Sequence, residues 1–203
     1  MSSPRPTDAT TRRVIVSNIV SLDGYVAGPP GGPPLPIADA FDAYNAERLR
    51  AADTLLVGRT SYDMFRGYWP PVQDDTDAGP AQHEISRLNN AIEKVVVSDT
   101  LTSDETTPWS STTRIVARSA AHETIAELKR GPGRDILVLG SRTLWNDLLA
   151  HDLVDELHLL IGPVVLGGGT PTFAAPPRGS MRLLATRTWE GSASVLATYE
   201  ILT

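Results

Sequence analysis

At 203 residues, with 41% hydrophobic and 21% charged residues, the chain has the makeup of one ordinary globular domain with a sizeable core. A net charge of −6 argues against a surface built to grip nucleic acid or anionic lipid. The lack of any cysteine removes disulfides, thiolate nucleophiles and cysteine-ligated zinc.

Residues 1–11 are polar and proline-containing, and read as a flexible tail ahead of one domain over 12–203. That segment has no apolar core for a signal peptide and no run approaches membrane-helix length, so a cytoplasmic location is expected. Val14 to Val20 is rich in β-branched residues and predicts a buried first strand, closed by the Asp23-Gly24 turn. The stretch PPGGPPLP, residues 29–36, predicts a long surface loop, and 37–51 a helix. Thr54 to Val57 is a short buried strand ending at Gly58, and GRTSYDMF opens a helix behind it. Residues 70–80 read as a loop, 85–92 as a short helix, and Val95 to Val97 as a strand ending at Ser98-Asp99.

A weaker strand is expected over 114–117. Ser119 then looks like the N-cap of a helix running to Arg130, where Gly131 stops it as a C′ glycine would. Ile136 to Leu139 is wholly apolar and stops abruptly at Gly140-Ser141. A crossover helix and a returning strand from Leu157 follow. Gly167-Gly168-Gly169 reads as a turn between strands. From Met181 the period becomes 2, and a turn at 190–192 returns the chain through Val195 to Ile201 as an antiparallel hairpin. The fold class is α/β: a mostly parallel sheet with flanking helices and an antiparallel C-terminal edge.

Three apolar strands thus end in small or polar residues: Gly58-Arg59-Thr60, Ser98-Asp99 and Gly140-Ser141. Ligands in open α/β sheets sit beyond such carboxyl ends, and a helix N-terminus there favours a pyrophosphate. Each glycine serves equally as a plain turn. Arg59 reads either as a phosphate ligand or as a solvated charge, and Arg118, just before an N-cap, reads the same way. Asp23 suits turn geometry, or else orients a polar substrate or relays a proton. The Walker, G-x-G-x-x-G and G-x-S-x-G patterns are absent, so ordinary NTPase, Rossmann and α/β-hydrolase sites have no support. His83, His122, His151 and His158 are scattered without metal-ligand spacing, and no metal is expected. The four tryptophans read as packing residues.

In SLDGYVAG, LLVGRTSYDMF, KVVVSDTL, DILVLGS and LVDELHLLIGPVVLGGGTPTF, in this order from about residue 13, the chain resembles the dihydrofolate-reductase-like superfamily, in its riboflavin-biosynthesis (RibD C-terminal domain) branch. The resemblance implies an NADPH-dependent reductase fold. It implies cofactor contacts at Gly58, Arg59, Thr60, Ser98, Gly140 and Ser141, with Arg142, Thr143 and Leu144 opening the next helix; Asp99 and Arg118, at the same strand ends, join the cofactor-binding candidates by position. It places Asp23 beside nicotinamide and substrate, with Gly167 and Gly168 on the opposite wall. Relatives often carry Ser-Arg where Ser98-Asp99 stands; an aspartate repels a 2′-phosphate and suits NADH, unless Arg59 or Arg118 compensates. Gly140-Ser141 likewise replaces a double glycine common elsewhere. The implied substrate is a small nitrogen heterocycle, first an aminopyrimidine such as 5-amino-6-(5-phosphoribosylamino)uracil and second dihydrofolate. A nucleotide-binding protein without catalysis is the other reading. A homodimer is implied by resemblance, with no nucleic-acid or membrane partner.

Overall fold

The computed structural model describes residues 11–35 and 39–202. Eight strands form one sheet in the order β5-β4-β3-β6-β1-β7-β10-β9, where β1 is Val14–Ser21, β3 Ala52–Gly58, β4 Glu93–Val97, β5 Thr113–Val116, β6 Asp135–Leu139, β7 Glu156–Gly162, β9 Ser180–Thr188 and β10 Val195–Leu202. The first six in that order run parallel; β10 and β9 form the antiparallel edge. Two short strands, β2 (Tyr25–Ala27) and β8 (Thr170–Pro171), pair beside the sheet and tie the first turn to the glycine loop. No helix among the described residues is long and apolar enough to cross a membrane.

The central strands are apolar on both faces because helices cover both faces. Side chains alternate between two cores. Ile136 and Val138 join Leu56, Val95 and Val97 under α4 (Ala121–Arg130) and α5 (Arg142–Ala150). Leu137 and Leu139 join Leu55, Val57 and Val96 under α1 (Asp39–Ala51), α2 (Arg59–Val72) and α3 (Pro80–Ala91). Trp145, Ile125 and Leu148 are fully buried in the first layer, each burial worth roughly 1.5–3 kcal/mol.

Several local expectations change. Helix α2 runs through Pro70 and Pro71 to Val72, and α3 begins at Pro80, so the loop expected over 70–80 narrows to 73–79. A proline at the first helical position has no amide to lose, which lets Pro80 start α3. Ser119 does not cap α4: it lies inside a 3-10 turn over Arg118–Ala120, and the cap position falls to Ala120 without a side-chain bond. Gly131 ends α4 with φ −76°, not in the left-handed C′ conformation. Residues 1–10 of the tail expected over 1–11, residue 36 of the expected loop and the start of the expected helix at 37–38 lie outside the described residues.

Strand order locates the crevice. From β3 the chain moves outward to β4 and β5, whereas from β6 it crosses to β7 on the other side of β1. Helices α2 and α5 therefore leave adjacent strand tips toward opposite faces of the sheet. Such a reversal opens a cleft beyond the carboxyl ends of the strands.

Candidate active site

The tips of β3 and β6 are tied to each other. The Gly58 amide donates to Ser141 Oγ at 3.0 Å, and the Ser141 amide donates to Ser61 Oγ at 2.9 Å. Gly140 has φ +59°, and a Cβ there would stand 3.1 Å from Ser61 Oγ, so a larger residue would be strained and would crowd Ser61. Ser141 itself is left-handed, at φ 52° and ψ 42°. Because its hydroxyl is turned to Gly58, it does not cap α5, and Gly58 brings no side chain to cap α2. Two uncapped helix N-termini thus start at neighbouring strand tips, where dipole and free amides favour an anion.

Beside this junction lies a cavity of about 640 Å³, within the range of cofactor and substrate sites. Strand β1 pairs with β6 only through Ser17 but with β7 through Ser21, so its β6 side opens into this space from Asn18 onward. Phe41, Phe65, Tyr68, Trp69, Ile85 and Leu139 form the apolar wall, and Met64 and Tyr68 are exposed at its rim. Asn18, Asn45 and Asn89 supply amides, and Gly140, Ser141 and Arg142 close the side nearest α5.

The residues singled out from the sequence take unequal places. Gly58, Gly140 and Ser141 meet at the junction, and Thr60 follows in the first turn of α2. Arg142, Thr143 and Leu144 form the first turn of α5, but the Leu144 side chain packs into the core and only its backbone faces the crevice end. Arg142 Nε donates to the Pro171 carbonyl, joining α5 to β8. Ser98 is 4% exposed and its hydroxyl accepts the Thr100 and Leu101 amides, so it shapes its own turn.

Arg59 is neither a free phosphate ligand nor a solvated charge. It donates to Asp63 at 2.5 Å and to both oxygens of Glu105, at 2.7 and 3.2 Å. The Glu105 and Asp63 contacts raise its pKa above the ordinary arginine value, and the Arg59 bonds hold Glu105 down to about 2. Asp99 accepts the Arg118 amide at 2.9 Å and lies 3.7 Å from Arg118 Nε, so these two charges offset each other at the tips of β4 and β5.

Asp23 does not line the cavity. Its two oxygens accept the Leu166 and Gly167 amides at 3.0 and 2.7 Å, fastening the β1 turn to the glycine loop. The Ser21 hydroxyl, then those amides, hold its pKa down to about 2. A carboxylate so committed is ionised at neutral pH and is a poor proton donor. Gly167 gives its amide to Asp23. Gly169 packs so closely on Ala27 and Gly28 that a Cβ would lie 2.2 Å from the Ala27 carbonyl oxygen, at φ +111°.

Sequence reasoning missed the helical wall. Asn18 was legible as an amide inside an apolar strand. Phe41, Asn45, Phe65, Trp69 and Asn89 carry no local signal, since α1, α2 and α3 meet at the cavity only in the fold. Nor are the histidines all apart. Packing of α4 on α5 brings His122 Nε2 to 2.6 Å from Asp147 Oδ2, with His151 3.5 Å from the same carboxylate, at the exposed surface.

The family model for the RibD C-terminal domain matches residues 12–196. The chain belongs to the RibD C-terminal domain family. Among curated relatives it is 32% identical over 179 residues to the uncharacterized protein YyaP of Bacillus subtilis (strain 168), covering 88% of this chain and 89% of that one. A pyrimidine reductase-like protein from Corynebacterium diphtheriae superposes with a TM-score of 0.61 at 15% identity, over 99% of this chain and 96% of that one. The diaminohydroxyphosphoribosylaminopyrimidine deaminase/5-amino-6-(5-phosphoribosylamino)uracil reductase of Thermotoga maritima superposes with a TM-score of 0.62 at 14% identity, over 96% of this chain and 58% of that one. At these identities the solved structures establish the shared fold.

Proposed function

We propose that this member of the RibD C-terminal domain family is an NADPH-dependent reductase of a small nitrogen heterocycle. One observation carries the reading: the uncapped N-termini of α2 and α5 meet at Gly58 and Ser141, on the edge of a cavity large enough for two rings. The residues present fit the cofactor. Backbone amides of Thr60, Arg142, Thr143 and Leu144 would hold its diphosphate, and the Asp99–Arg118 pair stands where the adjacent strands end. The open β6 side of Asn18 and Ile19 would receive the nicotinamide carboxamide. When bound, the cofactor supplies the hydride.

The chain's own contribution is orientation and exclusion of water. The aromatic wall fixes the substrate ring, and the amides of Asn18, Asn45 and Asn89 set its rotation. Asp23 acts as a positioning residue, holding the glycine loop through two backbone bonds. Among the described residues that line the cavity, Asp42 is the one carboxylate.

Titration of the protein with NADPH and with NADH, followed by tryptophan fluorescence, tests the reading, because Trp69 lies in the cavity wall. Saturable quenching by at least one of the two is expected, and their order of affinity reads whether Arg118 or Asp99 governs the site of the 2′-phosphate. Absence of quenching by either dinucleotide at millimolar concentration refutes the cofactor assignment.

A further inference from the structure

The helices on the other face of the sheet carry a cluster that the cavity does not use. His122 lies in the first turn of α4, and Asp147 and His151 stand one turn apart at the end of α5. His122 Nε2 is 2.6 Å from Asp147 Oδ2, and His151 Nδ1 is 3.5 Å from Asp147 Oδ1. The two imidazole rings stack with centres 3.9 Å apart. One ligating atom from each of the three residues falls within 4.8 Å of the other two. His122 and Asp147 are 25 residues apart in the chain, so the set exists only once the fold sets α4 beside α5.

The donor set selects one class of cation. Imidazole nitrogen suits Zn²⁺, Ni²⁺, Cu²⁺ or Co²⁺, whereas Mg²⁺ and Ca²⁺ take oxygen ligands. Two imidazoles and a carboxylate match three-ligand zinc sites, which keep a further position for water. Tetrahedral bonds of about 2.0–2.1 Å put neighbouring ligand atoms about 3.3 Å apart, close to the 3.5 Å between His151 and Asp147. The shorter His122–Asp147 contact opens to that spacing when a metal ion takes the place of the shared proton. His151 Nδ1 also bonds to the Asp147 carbonyl at 2.8 Å, so binding exchanges one hydrogen bond at each histidine for a metal–nitrogen bond. The side chains of His122, Asp147 and His151 are 41%, 48% and 49% exposed, so they turn without disturbing the buried Ile125, Trp145 and Leu148. Among the described residues no lysine or arginine pairs with Asp147, whose charge is shared by the two histidines.

We infer that His122, Asp147 and His151 form a binding site for a divalent transition-metal ion of the Zn²⁺ type, which clamps α4 to α5 and leaves a coordination position to water. The site lies on the sheet face opposite the helical wall of the cavity, and it is independent of the reductase reading.

Equilibrium dialysis of the untagged full chain against submillimolar Zn²⁺ at neutral pH, with NADPH left out, tests the site by elemental analysis. One Zn²⁺ per chain is expected, retained in excess Mg²⁺, and the melting temperature should rise above that of the metal-free protein. His122→Gln and His151→Gln are each expected to weaken Zn²⁺ at least tenfold, while their metal-free melting temperatures stay near the parent's. His83→Gln alters a histidine outside the cluster, bonded to the Asp75 carbonyl, and should leave the affinity within twofold. Asp147→Asn keeps the side-chain shape, should weaken Zn²⁺ at least tenfold, and stands in for either histidine variant that fails to fold. No Zn²⁺ uptake, loss of the ion to Mg²⁺, an unchanged melting temperature, parent-like affinity in the cluster variants, or an equal loss in His83→Gln would each overturn the inference.

Discussion

Ser141 joins the two strand tips at a conformational cost, and the terms can be separated by substitution. Its left-handed backbone, at φ 52°, costs a residue with a Cβ about 1 kcal/mol relative to glycine. Its hydroxyl accepts the partly buried Gly58 amide at 3.0 Å, a bond of about 1 kcal/mol net. Ser141→Ala keeps the strain and loses the bond, and should be less stable by about 1 kcal/mol. Ser141→Gly loses the bond but sheds the strain, and should lie within about 0.5 kcal/mol of the parent. Urea denaturation at pH 7 measures both, with unchanged m-values expected because the exposed surface hardly changes. The Gly58 amide freed by Ser141→Gly stands at the start of α2, so NADPH should bind about threefold more tightly, a gain of less than 1 kcal/mol. Equal stability of the alanine and glycine variants would refute the strain argument. Weaker NADPH binding in Ser141→Gly would refute the placement of the diphosphate.

Lys94 of β4 is fully buried; its ammonium donates to Thr112 Oγ1 at 3.0 Å and lies 4.3 Å from the Trp109 ring centre, and burial pulls its pKa down to about 7. The unfolded chain therefore binds an extra proton between about pH 7 and 10.5, and native stability should climb across that window. Lys94→Met should melt higher at pH 6, by an amount on the order of 3 kcal/mol, with the gap closing toward pH 10.5; parallel melting profiles for the two proteins would contradict this. For Asp23, whose folded value lies near 2 against an ordinary 3.8, the stabilising contribution is present above pH 4 and lost as pH falls toward 2. Asp23→Asn should lower stability at pH 7, with the difference vanishing in acid. It should also reduce turnover more than NADPH affinity, through a loosened glycine loop. A stability difference that ignores pH would show that the two amide bonds do not depend on the charge.

Periodicity and punctuation made most of the sheet readable. Val14 to Val20, Thr54 to Val57, Val95 to Val97 and Ile136 to Leu139 are apolar on both faces because helices cover both, and a strand of that kind declares itself locally. Glycine after such a strand marked both Gly58 and Gly140, although only Gly140, at φ +59°, takes a conformation other residues resist, while Gly58 is extended at φ −86°. The sequence by itself therefore determined the class of fold, the crossover at β6 and the junction end of the site. Tertiary structure alone decided who shares the cavity and which charges are spent. Arg59 is committed to Asp63 and Glu105, the latter 46 residues away. Asp23 is committed to backbone amides 143 and 144 residues away. Asn18, Asn45 and Asn89 share one cavity only once α1 and α3 pack against each other over the sheet. Strand and turn signals reside in a few adjacent residues, whereas charge pairing and cavity walls arise between segments that no local pattern connects.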